Sequence, residues 1–189
     1  MKKFLAILLI FALSISIVAC KSNKETPVNE DPIIEEPINE PNEDEGNEDE
    51  PESIEVTLYF ANEDYIETGD ESLEILIPER REIETREDKL GEAIVRALME
   101  GTESEKAQTA IPSTSTLNGV EIIDGTAFVD FARDGMYGGS LQEGLTINQI
   151  VASLIELDSV DSVQFLIDGE IEESLMGHYI INKPLTAIE

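Results

Sequence analysis

The sequence predicts a domain of the α+β class, a two-layer domain in which two helices pack on one face of a small mixed or antiparallel sheet. Segments that alternate apolar and polar residues, as strands do, stand among two segments with apolar residues at helical spacing. An Asp-Gly pair joins two of the strand-like segments as a hairpin turn would. The predicted order is strand, strand, helix, strand, strand, helix, strand, which suits helices covering one face of a sheet.

The first two strands are predicted from β-branched and aromatic residues. Residues 54–60 alternate apolar and polar side chains, so they predict a strand. Residues 61–72 are mostly polar and predict a loop. A second short strand is expected over residues 73–77 and is expected to stop at Pro78, which has no N–H for a sheet hydrogen bond. Residues 79–84 are a weaker candidate for an edge strand.

The first helix is predicted from about Arg86 to Glu100. Thr85 followed by Asp88 resembles a capping box, and Gly101 stands where a helix C-cap favours glycine. The apolar residues of this segment fall on one helical face, which we expect to be core. They are Leu90, Ala93, Ile94, Ala97 and Leu98.

A hairpin is the clearest local prediction. Residues 102–116 predict a polar loop, and residues 117–123 and 126–131 then flank Asp124-Gly125. Both central residues of a tight hairpin turn need positive φ, which Asp and Gly tolerate. A tight turn is therefore expected between two antiparallel strands.

The second helix is predicted to begin at Ser140, which with Glu143 offers another capping box, and to reach about Leu157. Gly144 weakens the first turns, so Thr146 is an alternative start. Its inner face is expected to carry Leu141, Ile147, Ile150, Val151, Leu154 and Ile155. The last strand is expected over residues 160–167, before Asp168-Gly169.

The N-terminus has the features of a secretory signal. Lys2-Lys3 precedes an apolar run over residues 4–17, and small residues lead to Cys20, the single cysteine of the chain. This ending resembles the bacterial lipobox, in which the signal is cut before a cysteine whose thiol is diacylated. We therefore predict a signal peptide over residues 1–19 and a lipid anchor on Cys20, at the extracytoplasmic face of the cell membrane. An uncleaved membrane helix is disfavoured, because about 16 apolar residues are short of the ~20 that a span needs.

Residues 20–52 predict a disordered stalk. After the cysteine this segment is dominated by proline and acidic residues, which bury too little apolar surface to fold and which extend the chain. Binding of calcium or wall polymer by these carboxylates is the alternative. A solvated spacer is favoured, because loose acidic runs lack the fixed oxygen cage of a calcium loop. The folded domain is then expected over residues 53–189.

The charge of the chain excludes several classes of function. With 12 basic and 42 acidic residues the net charge is −30, which disfavours binding to nucleic acid and charge-driven adhesion to anionic lipid. Because Cys20 is assigned to the anchor, no cysteine remains for disulfides, thiolate catalysis or zinc. The domain must therefore be held together by its core.

Several short motifs, each present once, follow one another along residues 54–189. They are Val56 with Tyr59-Phe60; Leu90, Ala93, Val95, Leu98 and Gly101; Ala110-Ile111-Pro112; the segment from Asp124 to Phe131; Gln149-Ile150-Val151 with Leu154; Val160, Val163 and Ile167-Asp168-Gly169; and the tail from Gly177 to Leu185. In this order they resemble the GerMN domain of bacterial sporulation and germination lipoproteins. The chain carries one such domain, where the best-known member carries two.

The resemblance implies an extracytoplasmic, non-enzymatic module, a membrane-tethered assembly or scaffold component of the envelope. A link to sporulation or germination is compatible with the family but does not follow from the domain alone. Its fold would be similar to the ring-building motifs of secretion and sporulation channels. The partner would be a protein of the envelope or further copies of the same chain. The family has no known catalytic residues, so the resemblance transfers none, and it implies no cofactor and no metal.

Few residues suggest a catalytic site. His178 is the one histidine, and its usual pKa would suit a general base, but no Gly-x-Ser-x-Gly nucleophile motif accompanies it. We interpret it as a surface or tail histidine. A pair of carboxylates would suit glycan hydrolysis, but among 42 acidic residues such a pair carries little information.

Three aromatic residues are the candidate interaction surface: Phe128, Tyr137 and Tyr179. Phe128 alternates with Ala127 and Val129, so it lies on the opposite sheet face from them. Because helices cover only one face, either Phe128 or its neighbours are expected to be exposed to a partner, unless tail residues 179–181 cover that face. Besides a protein-binding module, two other functions remain open: a surface lipoprotein that binds a wall ligand or divalent cations, and an envelope glycan hydrolase.

The predicted anchor has a direct test. Replacing Cys20→Ala should remove the acyl group and move the protein from the membrane fraction to the soluble fraction, because the thiol is the site of diacylation. Ser22→Ala is the matched control and should stay with the membrane. Fractionation with mass spectrometry of the N-terminal peptide gives the readout, and a Cys20→Ala protein that remains fully membrane-bound would contradict the prediction.

Overall fold

The computed structural model describes residues 50–186. The predicted signal peptide, Cys20 and nearly all of the predicted stalk lie outside the described residues, and so do residues 187–189. Within the described part, no helix has the length and apolar character needed to cross a membrane.

The described chain contains three helices and six strands. In chain order they are β1 (Glu52–Asn62), α1 (Glu63–Thr68), β2 (Leu76–Thr85), α2 (Leu90–Glu100), β3 (Ala107–Gln108), β4 (Leu117–Ile123), β5 (Thr126–Phe131), α3 (Ser140–Leu154) and β6 (Ser162–Ile167). The predicted α+β class is confirmed.

The strands form two three-stranded sheets where one was expected. One sheet has the order β2-β1-β3 and is antiparallel; the other has the order β4-β5-β6, with β5 and β6 parallel. Helix α3 connects the two parallel strands. On β1 the backbone N–H of Tyr59 donates to Ser153 Oγ of α3, at 2.9 Å, so at this position the helix rather than a strand provides its partner.

One hydrophobic core joins the two sheets. Helix α2 contacts β1, β2 and β4, while α3 contacts β1 and β6, so the two long helices bridge the sheets. The fully buried side chains include Phe60 of β1, Leu98 of α2, Phe131 of β5, Ile150 of α3 and Phe165 of β6. Burial of these side chains from both sheets is the main favourable contribution to folding.

The hairpin prediction is confirmed at both of its bounds. Strands β4 and β5 pair antiparallel, and Asp124 and Gly125 have φ of 48° and 79°. Ala127, Val129 and Phe131 point into the core, and the residues between them are half-buried. The local signal was sufficient here, because the turn and both strands lie within fifteen residues.

Two predictions near the N-terminus were wrong. The segment expected to be a loop contains α1, which Asn62 caps by accepting a hydrogen bond from Asp64 N–H at 3.0 Å and which ends at Gly69 with φ of 64°. Strand β2 begins later than expected and runs through Pro78. Because β2 is an edge strand, the missing N–H of the proline leaves no bond of the sheet unmade.

Neither predicted capping box forms. Helix α2 begins only at Leu90, after a 3-10 turn, and no side chain caps it. Helix α3 does begin at Ser140, but its N-cap is Gly139 and the Glu143 carboxylate bonds elsewhere. The predicted C-cap is confirmed, since Gly101 has φ of 92° and its N–H donates to Ala97 O at 3.2 Å.

Helix α3 carries a stripe of buried polar residues. Glu143, Thr146, Gln149 and Ser153 are all buried at a spacing of three or four. Thr146 Oγ1 donates to Ala110 O at 2.8 Å, and Gln149 Oε1 accepts from Ala110 N–H at 2.8 Å. We name these four residues the polar stripe. Its hydrogen bonds connect α3 to β1, to the segment after β3 and to the C-terminal tail.

A pair of glycine substitutions tests the backbone of the loop before α3. Gly135 has φ of 90°, and a Cβ there would lie 2.0 Å from Thr114 O, so Gly135→Ala should lower the free energy of unfolding by about 2 kcal/mol or more. At Gly119 no atom lies within 4 Å of such a Cβ, so Gly119→Ala should change the free energy of unfolding by less than about 0.5 kcal/mol. Urea denaturation measures both, and equal effects would contradict the prediction.

Candidate interaction surface

The three aromatic residues of the predicted surface lie in different environments. Phe128 is half-buried in the middle of β5, whereas 64% of Tyr137 and 47% of Tyr179 is exposed. Phe128 pairs with Gln164 of β6, and Gln164 Nε2 donates to Ile181 O at 2.9 Å. The tail therefore reaches the same sheet face beside Phe128. Of the three residues, only Tyr179 lines the groove described below.

The C-terminal tail, residues 170–186, is attached to the domain through Glu143. This carboxylate is fully buried in α3 and accepts hydrogen bonds from two tail N–H groups, Met176 at 2.9 Å and His178 at 2.7 Å. A buried carboxylate needs such donors in place of water. Between the two donors Gly177 adopts φ of 102°, a left-handed value that glycine tolerates.

Further bonds hold the tail beside β6. Ile181 N–H donates to Glu173 O at 2.9 Å, so the tail folds back on itself. Leu185 and Val163 exchange two backbone hydrogen bonds, of 2.8 and 2.9 Å, along the free side of β6. The tail is thus held at its middle by α3 and near its end by β6.

Gly144 allows the tail to approach α3 closely. A Cβ at this position would lie 3.2 Å from three atoms of the Tyr179 ring, which is tighter than ordinary contact. The sequence suggested only that Gly144 weakens the helix. In the structure it makes room for an aromatic ring against the helix surface.

A groove of about 690 Å³ lies between α3, α1 and the tail. It is lined by Tyr65, Ile75, Leu141, Gly144, Leu145, Ile147, Asn148, Val151, Tyr179, Ile180, Lys183, Pro184, Leu185 and Thr186. The helix contributes residues 141–151, which span about 15 Å along its axis. We name this feature the tail groove.

Most residues of the tail groove are apolar, although polar and apolar atoms contribute equally to its lining surface. Among the described residues, its lining contains no aspartate or glutamate, although the chain has 42 of them, and Lys183 is the one charged residue there. Five arginines each form an ion pair within the described residues, and none of those pairs includes Lys183. They are Arg80, Arg81, Arg86, Arg96 and Arg133. Within the described residues, the groove is therefore a site with a mainly apolar set of side chains and one cation, on a strongly acidic protein.

The rim of the groove exposes large apolar side chains. Leu141 is 48% exposed and Ile180 is 63% exposed. The sequence placed Leu141 on the inner face of the helix, and the structure corrects this, because the helix turns this residue toward the tail groove. An apolar rim around a cation suits binding of a partly apolar anion.

Sequence reasoning missed the groove. The feature of the sequence that could have indicated the groove is the tail. After the last predicted strand, Tyr179-Ile180-Ile181 is followed by Asn182 and then by Lys183-Pro184-Leu185. That apolar run with one lysine is unusual in so acidic a chain, but nothing local says which helix it faces.

His178 contributes to attachment of the tail. Its backbone N–H bonds to Glu143, and its Nε2 lies 3.3 Å from Gly138 O. It does not line the tail groove. Among residues 50–186 no group of three or more His, Cys, Asp and Glu side chains is arranged to hold a metal ion.

Comparison with known proteins identifies relatives of the domain. The model of a family described as Germane, sporulation and spore germination, matches residues 57–173. That range runs from β1 to beyond β6 and takes in both long helices. No curated protein matches the chain in sequence.

Solved structures share the fold. The first GerMN domain of the sporulation protein GerM from Bacillus subtilis is 20% identical, with a TM-score of 0.56 over 70% of this chain and 97% of that one. The tandem GerMN domains of the same protein are 21% identical, with a TM-score of 0.55 over 71% of this chain. This chain covers 46% of the tandem, about half its length. A Clostridium perfringens protein provisionally named a lipoprotein is 23% identical, with a TM-score of 0.49, over 71% of this chain and 87% of that one.

The attachment of the tail can be tested at Glu143. Glu143→Gln replaces one acceptor oxygen with an NH₂ group that faces a backbone N–H. It should therefore cost about 1–3 kcal/mol and speed amide hydrogen exchange at Met176 and His178. Glu170→Gln, an exposed change in the same tail, is the control and should alter neither quantity. Unchanged exchange at both amides in Glu143→Gln would show that this carboxylate does not hold the tail.

Proposed function

The chain belongs to the Germane family, sporulation and spore germination, and from that premise we propose that it is a lipid-anchored extracytoplasmic lipoprotein whose GerMN domain binds protein partners without catalysis. The domain works as an assembly or scaffold component of the cell envelope, linked to sporulation or germination. The family match extends over residues 57–173, which include both long helices, and it ends before the tail residues that line the groove.

The observation that carries the binding role is the exposed apolar surface around the tail. Tyr137, Leu141, Tyr179 and Ile180 are large apolar residues that the fold leaves in water. They occur in or next to segments that hydrogen bonds hold in place, so their exposure is built into the fold. Leu141, Tyr179 and Ile180 line the same groove, and exposed apolar surface of this kind is typical of sites that bind another protein.

The predicted anchor and stalk suit this role. Lipid on Cys20 restricts the protein to the membrane surface, and residues 20–52 form a proline-rich acidic spacer. At ~3.1 Å per residue an extended spacer of this length reaches roughly 100 Å. The domain can then meet a partner well away from its own membrane.

Photo-crosslinking in cells tests the proposal. A benzoylphenylalanine probe placed in turn at Phe128, Tyr137 and Tyr179 should give a discrete protein adduct at one or more positions, because these aromatic side chains lie on or near the apolar surface. The same probe at Glu82, an exposed position on the edge strand β2, is the control and should give none.

The other outcomes are also informative. Adducts confined to cell-wall glycan would favour the alternative function, a lipoprotein that binds a wall ligand. Absence of adducts at all three positions in a well-expressed, membrane-bound protein would count against an interaction module.

A further inference from the structure

We propose that the tail groove is the docking site for an apolar segment of a partner protein, and that this segment carries a carboxylate that pairs with Lys183. The proposal deepens the proposed function, on which it rests, by naming the surface and the chemistry of the partner. It is independent of the partner's identity.

Apolar side chains form both the floor and the rim of the groove. Its floor includes Leu145, which is buried, and its rim includes the exposed side chains of Leu141 and Ile180. A small molecule within the groove would leave the rim in water. A protein segment continuous with a larger surface covers floor and rim together, and removal of that apolar area from water favours binding.

The charge of the groove differs from that of the chain as a whole. The chain carries a net charge of −30, which repels acidic partners. Among the described residues, no carboxylate lines the tail groove and Lys183 has no ion-pair partner. A carboxylate on the incoming segment meets a cation there and repulsion elsewhere, which fixes where and how the segment docks.

The length of the groove and its fixed walls suit a short extended segment of a protein. The wall formed by α3 is about 15 Å long, the length of four or five residues of extended chain. The opposite wall is the tail, which Glu143 and Leu185 hold in place. A preformed groove reduces the ordering cost of binding.

A second copy of this chain is the competing occupant. The tip of the β4–β5 hairpin exposes Ile122 and Ile123 beside Glu121 and Asp124, so it has the same combination of apolar and acidic groups. Two chains of charge −30 repel one another, however, which favours a partner of different charge. Crosslinking followed by mass spectrometry distinguishes a partner protein from a second copy of this chain.

The test uses the full lipid-anchored protein in its cells. Benzoylphenylalanine probes at Leu141 and Ile180 report on the groove, and a probe at Tyr137 reports on the exposed apolar surface outside it. A probe at Ile171, which is similarly exposed and does not line the groove, is the matched control. A water-soluble carbodiimide then joins the Lys183 amine to any carboxylate in contact with it. We expect both reagents to yield the same partner segment by mass spectrometry, apolar and containing the Asp or Glu that is joined to Lys183.

Charge variants make the test specific. Lys183→Glu should lower the adduct yield at Ile180 by about tenfold, because it places like charges together, and Lys183→Arg should retain the yield. Lys106→Glu is the matched control, since Lys106 is also exposed and belongs to no ion pair of the described residues, and it should leave the yield unchanged. Both lysines are exposed, so the folded domain tolerates these changes.

The remaining results overturn the inference in distinguishable ways. Adducts that map to a second copy of this chain, or to a segment without a carboxylate, refute the proposed occupant. Adducts that survive Lys183→Glu at full yield refute the role of the charge. Adducts at Tyr137 or Ile171 but at neither groove position refute the groove and leave the interaction module intact, whereas absence at all four positions refutes both.

Discussion

The fold depends on the buried polar stripe of α3. A helix buried on most of its surface is usually apolar all round, yet here Glu143, Thr146, Gln149 and Ser153 carry their polar groups into the interior. Such burial is tolerated because each group finds a fixed partner: tail N–H groups, the backbone of Ala110, Thr109 Oγ1, and the N–H of Tyr59. These bonds specify which segments surround the helix, as apolar packing alone does not.

The same helix presents a second face to the tail groove. Leu141, Leu145, Asn148 and Val151 line the groove, while the polar stripe holds in place the tail that forms the opposite wall. The shape of the candidate surface is therefore coupled to the stability of the domain. A partner that docks there meets a surface set by folding, with little left to order on binding.

The proposed docking would draw its specificity from charge. A highly acidic protein stays soluble and resists nonspecific association, but the same charge weakens contact with acidic partners. Within the described residues, the tail groove has no carboxylate and a single lysine, which would reverse this effect locally. Because Lys183 is exposed, its attraction to a carboxylate would be screened by salt until a partner covers it, and removal of the apolar rim from water would add to the binding.

The sequence by itself determined what depends on neighbours along the chain: the α+β class, the hairpin with Asp124-Gly125, the C-cap at Gly101, and the motif order that identified the family. Tertiary structure decided the division into two sheets and the passage of β2 through Pro78. It also decided that Glu143 binds the tail instead of capping its helix, and that Tyr65, Leu145 and Lys183 line one groove. The reason is physical. Periodicity and turn chemistry act over a few residues, whereas the hydrogen bonds of a buried side chain join residues more than thirty positions apart, and local pattern carries no record of such partners.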